Sequence, residues 1–80
     1  MVHTSDAAST HLTPREIEVL RLIVGGLSSK QTAARLRIAP KTVESYVEHV
    51  RLKLGATNRC NMVAIAVGRG LIWLADGDTD

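Results

Sequence analysis

Residues 28 to 47 read SSKQTAARLRIAPKTVESYV, two short stretches of helix-forming residues separated by three that leave room only for a tight turn. Ser28 is placed to accept from the backbone N–H three residues on. Gln31 is placed to reach back to the Ser28 N–H, the reciprocal arrangement that opens a helix. Ala33, Ala34 and Leu36 follow, so the spacing predicts a helix over 29–36. Pro40 suits the first position of a second helix, because the N–H it lacks would be unpaired there anyway. Val43, Val47, Val50 and Leu54 then recur on one side at helical spacing, with Tyr46 on the border. Gly55 can adopt the left-handed stop that ends such a helix, giving 40–54. Two helices joined by a three-residue turn, the second ended sharply, have the spacing of a helix-turn-helix.

Working outward, Thr13-Pro14-Arg15-Glu16 repeats the same opening grammar. Ile17, Leu20, Ile23 and Val24 make an apolar stripe, Leu27 continues it, and Gly25-Gly26 ends a helix of about 14–25. Downstream, Asn58 can cap a helix of about 59–69 that stops near Gly68 and Gly70. Leu71, Ile72, Trp73 and Leu74 form an apolar end expected to pack back on the core. The predicted fold class is all-α, a compact four-helix domain over residues 12–75 with its helix-turn-helix at 28–47. Residues 1–11 are small and polar and read as a tail or linker. Asp76, Asp78 and Asp80 read as a frayed acidic terminus.

Eighty residues suffice for one small domain, which rules out large-enzyme architectures. A single cysteine, Cys60, can form neither an internal disulfide nor a paired-cysteine metal clip. His3, His11 and His49 lack metal-ligand spacing, and no histidine with an orienting acid stands near a nucleophile. No apolar run is long enough to span a bilayer, and no leader pattern opens the chain. A soluble cytoplasmic protein without cofactor, metal or catalytic activity is the expectation. The net charge of +2 hides an asymmetry: all ten Lys and Arg fall within 12–75, where only Glu16, Glu18, Glu44 and Glu48 oppose them. The folded part is therefore distinctly basic, which favours an anionic partner.

The side of helix 40–54 turned away from its core stripe carries Lys41, Glu44, Ser45 and Glu48, all able to donate to or accept from base edges. Thr42, His49 and Lys53 flank them where phosphates would run. His49 reads equally well as a phosphate neighbour or as an idle surface residue.

The whole string LTPREIEVLRLIVGGLSSKQTAARLRIAPKTVESYVEHVRLKLGATNR, residues 12 to 59, resembles the LuxR/GerE-type helix-turn-helix of bacterial transcription regulators, and the likeness extends to about Leu74. The resemblance implies a third helix in the major groove, a second helix that steadies it on the DNA backbone, and a fourth that commonly forms a two-fold dimer. By position, Lys41 and Thr42 match family residues that touch phosphate or nearby base edges, and Glu44, Ser45 and Glu48 match base-reading positions. Lys30 and Lys53 match backbone-facing basic positions, and Arg59 matches the basic residue that opens the fourth helix. The expected partner is double-stranded DNA, with RNA polymerase as a further candidate.

Five positions depart from the family's pattern. Ala39 replaces a frequent Ser and offers no side-chain cap. Glu44 and Glu48 stand where Lys is often found; a carboxylate there can accept from cytosine N4, or pair with Lys41 and Arg51 respectively at i,i+3. Thr32 replaces a larger aliphatic, and Arg51 an apolar residue.

On helix 59–69, Met62, Ile65 and Ala66 make one face, while Cys60, Val63, Ala64 and Val67 make another on the far side. Two apolar faces on one helix imply a homodimer through the second, since a two-fold contact pairs a patch with itself; the alternative is that Leu71 and Trp73 fold over it. The resulting expectation is sequence-specific duplex binding as a dimer and regulation of transcription. Alternatives are a sigma-factor region-four-like promoter-binding domain, or a protein-interaction module that has lost DNA binding. The chain reads as a stand-alone regulator or as a fragment of a larger one.

Overall fold

A computed structural model describes residues 11–72. It contains four helices, α1 (Pro14–Val24), α2 (Ser29–Leu36), α3 (Pro40–Leu54) and α4 (Arg59–Gly68), and no strand among the described residues. The tail at 1–10, Trp73, Leu74 and the acidic end lie outside them.

Each boundary has a local cause. The Thr13 hydroxyl accepts from the Glu16 N–H at 3.1 Å and the Glu16 carboxylate accepts from the Thr13 N–H at 2.8 Å. Ser28 and Gln31 make the same reciprocal pair at 3.0 and 2.9 Å. These side chains satisfy donors that the first turn of a helix leaves unpaired. The Asn58 side chain accepts from the Asn61 N–H at 2.8 Å and opens α4. At α3 the position before Pro40 is Ala39, extended at φ −73° and ψ 146°, with no side-chain hydrogen bond. Helices α1 and α4 each stop one residue short of the sequence expectation. For α1 the reason is visible, since Gly25 turns back to cap it and Gly26 follows at φ 102°, where a side chain would be strained.

The turn of the helix-turn-helix pivots on Arg37, left-handed at φ 60° and ψ 47°. Few residues other than glycine adopt this conformation, and nothing in the sequence marked it. The Arg37 N–H bonds the Ala34 carbonyl and the Ile38 N–H bonds that of Ala33, closing α2 so that α3 can leave at once.

Helix α3 lies at the centre of the domain, in contact with α1, α2 and α4. Its stripe of Val43, Val47, Val50 and Leu54 is buried against Val19, Leu20 and Ile23 of α1, Ala33 of α2, and Met62 and Ala66 of α4. Burying each side chain of this size contributes roughly 1.5–3 kcal/mol, and the four together fix which side of α3 faces outward. Ile72 joins the core and Leu71 is half-buried, so the described part of the apolar end does pack back. Thr32 is fully buried, yet its Oγ1 finds no hydrogen-bond partner among the described residues.

Candidate nucleic-acid interface

Because the core holds one side of α3, the other is exposed along its length. Lys41, Thr42, Glu44, Ser45, Glu48 and His49 all lie on the surface. Fifteen residues make a helix about 22 Å long, and the major groove, about 12 Å wide, admits one. Helix-forming residues, a proline start and a glycine stop thus present a rigid polar rod.

Leu52 extends this surface. Seven residues beyond Ser45, and so on the same side two turns on, it is 60% exposed and is the one large exposed hydrophobic side chain among the described residues. An apolar contact of this kind suits a thymine methyl group. Its signal in the sequence was its register, opposite the Val and Leu stripe.

Charges divide into held and free. Glu48 receives two hydrogen bonds from Arg51, Nε to Oε1 at 3.1 Å and Nη2 to Oε2 at 2.6 Å. They hold its carboxyl below the usual carboxylate range. Arg51, at a position where an apolar residue was the familiar choice, also donates from Nη1 to the Ala56 carbonyl at 2.8 Å. Lys41 and Glu44 make no ion pair among the described residues, so of the two pairings open to this face only that of Glu48 forms.

Lys53 points to Glu16, with Nζ 2.8 Å from Oε1. Lys30 is exposed on the first turn of α2. Arg59 donates from Nη1 to Ser29 Oγ at 3.1 Å, a side-chain link from the first turn of α4 to the first turn of α2. Helix N-termini carry partial positive charge, so this cation adds to a positive end instead of offsetting it. Such a place favours an anion.

On α4, Met62 and Ala66 are fully buried and Ile65 half-buried, while on the other side Cys60 and Ala64 are exposed and Val63 and Val67 half-buried. Arg59, Cys60 and Val63 line, with Ile23, Gly26 and Leu27, a shallow depression of about 390 Å³. Among the described residues, no cluster of His, Cys, Asp and Glu could hold a metal ion, and no helix is long and apolar enough to cross a membrane.

A capped helix-turn-helix whose second helix is buried on one side and largely polar on the other has the architecture of a DNA-binding helix-turn-helix module. The chain belongs to the luxR family of bacterial regulatory proteins, whose GerE model matches residues 10–66. It is 46% identical over 59 residues to an HTH-type transcriptional regulator of Mycobacterium bovis, covering 74% of this chain and 7% of that protein. It is 41% identical over 68 residues to ycf29 of Cyanophora paradoxa, named as a transcriptional regulator, covering 85% of this chain and 32% of that protein. It is 35% identical over 68 residues to the quorum sensing-dependent transcriptional regulator VjbR of Brucella abortus, covering 85% of this chain and 26% of that protein. The chain thus spans a third or less of the length of these relatives.

Proposed function

We propose that the chain binds duplex DNA sequence-selectively as a two-fold dimer, with α3 in the major groove, and regulates transcription from the bound site. The observation that carries this reading is the outward side of α3, polar from Lys41 to Glu48 and anchored from behind by four buried side chains. Lys30, Lys41 and Arg59 neutralise phosphates and, with the Thr42 hydroxyl donating to phosphate, set the register, with His49 on the flank. Glu44, Ser45 and Glu48 supply base preference. Lys53 contributes its charge from the edge while tied to Glu16.

The dimer forms through Cys60, Val63, Ala64 and Val67, a patch that a two-fold axis would cover with its own copy. Two copies of α3 would then address an inverted repeat. The activity is binding and not catalysis, needs no cofactor or metal, and belongs in the cytoplasm, where a bound regulator meets RNA polymerase.

Titration of labelled duplexes by fluorescence anisotropy at several salt concentrations tests the assignment of roles. Lys41→Ala should weaken binding to all sequences and reduce the salt slope by about one unit. Glu48→Ala should change which base is preferred in selection from a random duplex pool. Equal loss on every sequence for Glu48→Ala would refute its reading role.

A further inference from the structure

An acid on a DNA-reading surface meets two opposing demands. It must stay ionised and directional to accept from a base, yet an unpaired carboxylate is repelled by the phosphates that bring the protein in. The surroundings of Glu48 meet both.

The Arg51 guanidinium holds Glu48 as a fork, one nitrogen on each carboxylate oxygen. Such bidentate geometry is the strongest and most directional form of the pair. Arg51 is itself anchored. Its Nη1 donates to the Ala56 carbonyl, and the Ala56 N–H donates back to the Arg51 carbonyl at 3.0 Å. Ala56 is buried, 4% exposed, in the turn that follows α3. The guanidinium is therefore tied to one buried turn as well as to Glu48, and its cation stands in the last turn of α3, where the helix dipole favours it.

The fork occupies one lone-pair direction on each Glu48 oxygen and leaves the others open. The Glu48 side chain remains 53% exposed, against 27% for Arg51. The acid thus keeps solvent-accessible acceptors while its charge is balanced by the paired guanidinium.

We propose that Arg51 is a specificity-positioning residue: it locks the Glu48 carboxylate against α3 so that its outward oxygens accept from the exocyclic N4 amine of a cytosine in the major groove. This rests on the reading of α3 as the groove-bound helix. A carboxylate already held in one rotamer forgoes the ordering cost that a free one meets on binding, and the pair adds no net negative charge to the face.

Selection from a random duplex pool, run in parallel on the 80-residue chain and its variants, tests the proposal. The wild type should prefer cytosine at one position of the half-site, and Glu48→Gln should abolish that preference. Arg51→Leu should reduce the same preference roughly three- to tenfold, leaving other positions unaltered. In a Glu48→Gln background, Arg51→Leu should have no further effect at that base pair, a coupling that a merely structural residue would not show. Arg51→Lys keeps the charge and a donor but not the fork; it should lose the preference to a similar degree, with an unchanged circular dichroism spectrum certifying the fold.

Two results would overturn the idea. One is an Arg51→Leu or Arg51→Lys protein that keeps full cytosine preference where Glu48→Gln loses it. The other is Arg51 variants that weaken every position evenly. A wild-type chain that selects no sequence at all would instead overturn the groove-binding reading beneath it.

Discussion

Lys53 Nζ and Glu16 Oε1 lie 2.8 Å apart across 37 residues of sequence, joining the end of α3 to the start of α1. The same carboxylate oxygen accepts from the Thr13 N–H. One buried acid, its side chain 6% exposed, therefore closes the first capping box and ties down the end of α3.

Removing the lysine strands that acid. Lys53→Gln should cost roughly 1–3 kcal/mol, less than a fully buried pair because the Lys53 side chain is a third exposed. Urea denaturation would measure it. Because Lys53 is held at Glu16, its substitution should change the salt slope of DNA binding by clearly less than Lys41→Ala does.

The same pair makes stability sensitive to acid. Burial pushes the Glu16 carboxyl up, but the hydrogen bonds from Lys53 and the Thr13 N–H together outweigh it and hold the pKa below its ordinary value. With the folded-state pKa depressed, the unfolded chain takes up the proton first. The stabilisation is present above the usual carboxylate range, near pH 4.3, and is lost as pH falls through it towards the folded-state value. Unfolding free energy followed from pH 7 to pH 3 should fall less steeply in Glu16→Gln than in the wild type.

Thr32 buries a hydroxyl with no partner among the described residues. Replacing it with valine removes an unsatisfied polar group at almost unchanged shape and should stabilise the domain by about 1 kcal/mol, raising Tm by roughly 4–8 °C for a domain of this size. An unchanged or lower Tm would show that the hydroxyl is satisfied in solution.

Helix α3 begins without a side-chain cap, although Ala39 already has the extended backbone of a capping residue. Ala39→Ser should therefore add about 1 kcal/mol without rearrangement, read as a higher thermal midpoint. Amide exchange at the first turn of α3 should slow in parallel, locating the gain at that helix end.

On one side of α4, Cys60 and Ala64 are exposed and Val63 and Val67 half-buried, an apolar patch that a second copy can cover. In analytical ultracentrifugation the wild-type chain should approach the dimer mass as concentration rises, and Val67→Glu should remain a monomer. A wild type that stays monomeric throughout would exclude the dimer built on this patch.

Most of the fold was legible because its signals are local. The pairs Thr13 with Glu16 and Ser28 with Gln31 act over three residues, Gly55 needs only its own left-handed φ of 70°, and the stripe from Val43 to Leu54 is a matter of helical period. The pairing of Glu48 with Arg51 at i,i+3 was readable as the alternative to base reading, but the anchor on Ala56 was not, because it depends on how the turn after α3 folds back. The left-handed Arg37 carried no signal, since the residue there is not the glycine that such a conformation usually selects.

By itself, then, the sequence determined four helices, their order, their caps and which side of α3 turns outward, since short-range hydrogen bonding and periodicity specify all of these. Only the tertiary structure decided which charges remain free for a polyanion. Lys53 is drawn to Glu16 and Arg59 to Ser29 from α1 and α2, while Lys41 and Glu44 are left without ion-pair partners among the described residues. The physical reason is range: a cap is complete within one turn of chain, whereas the fate of a charge depends on whatever packing brings within about 3 Å of it.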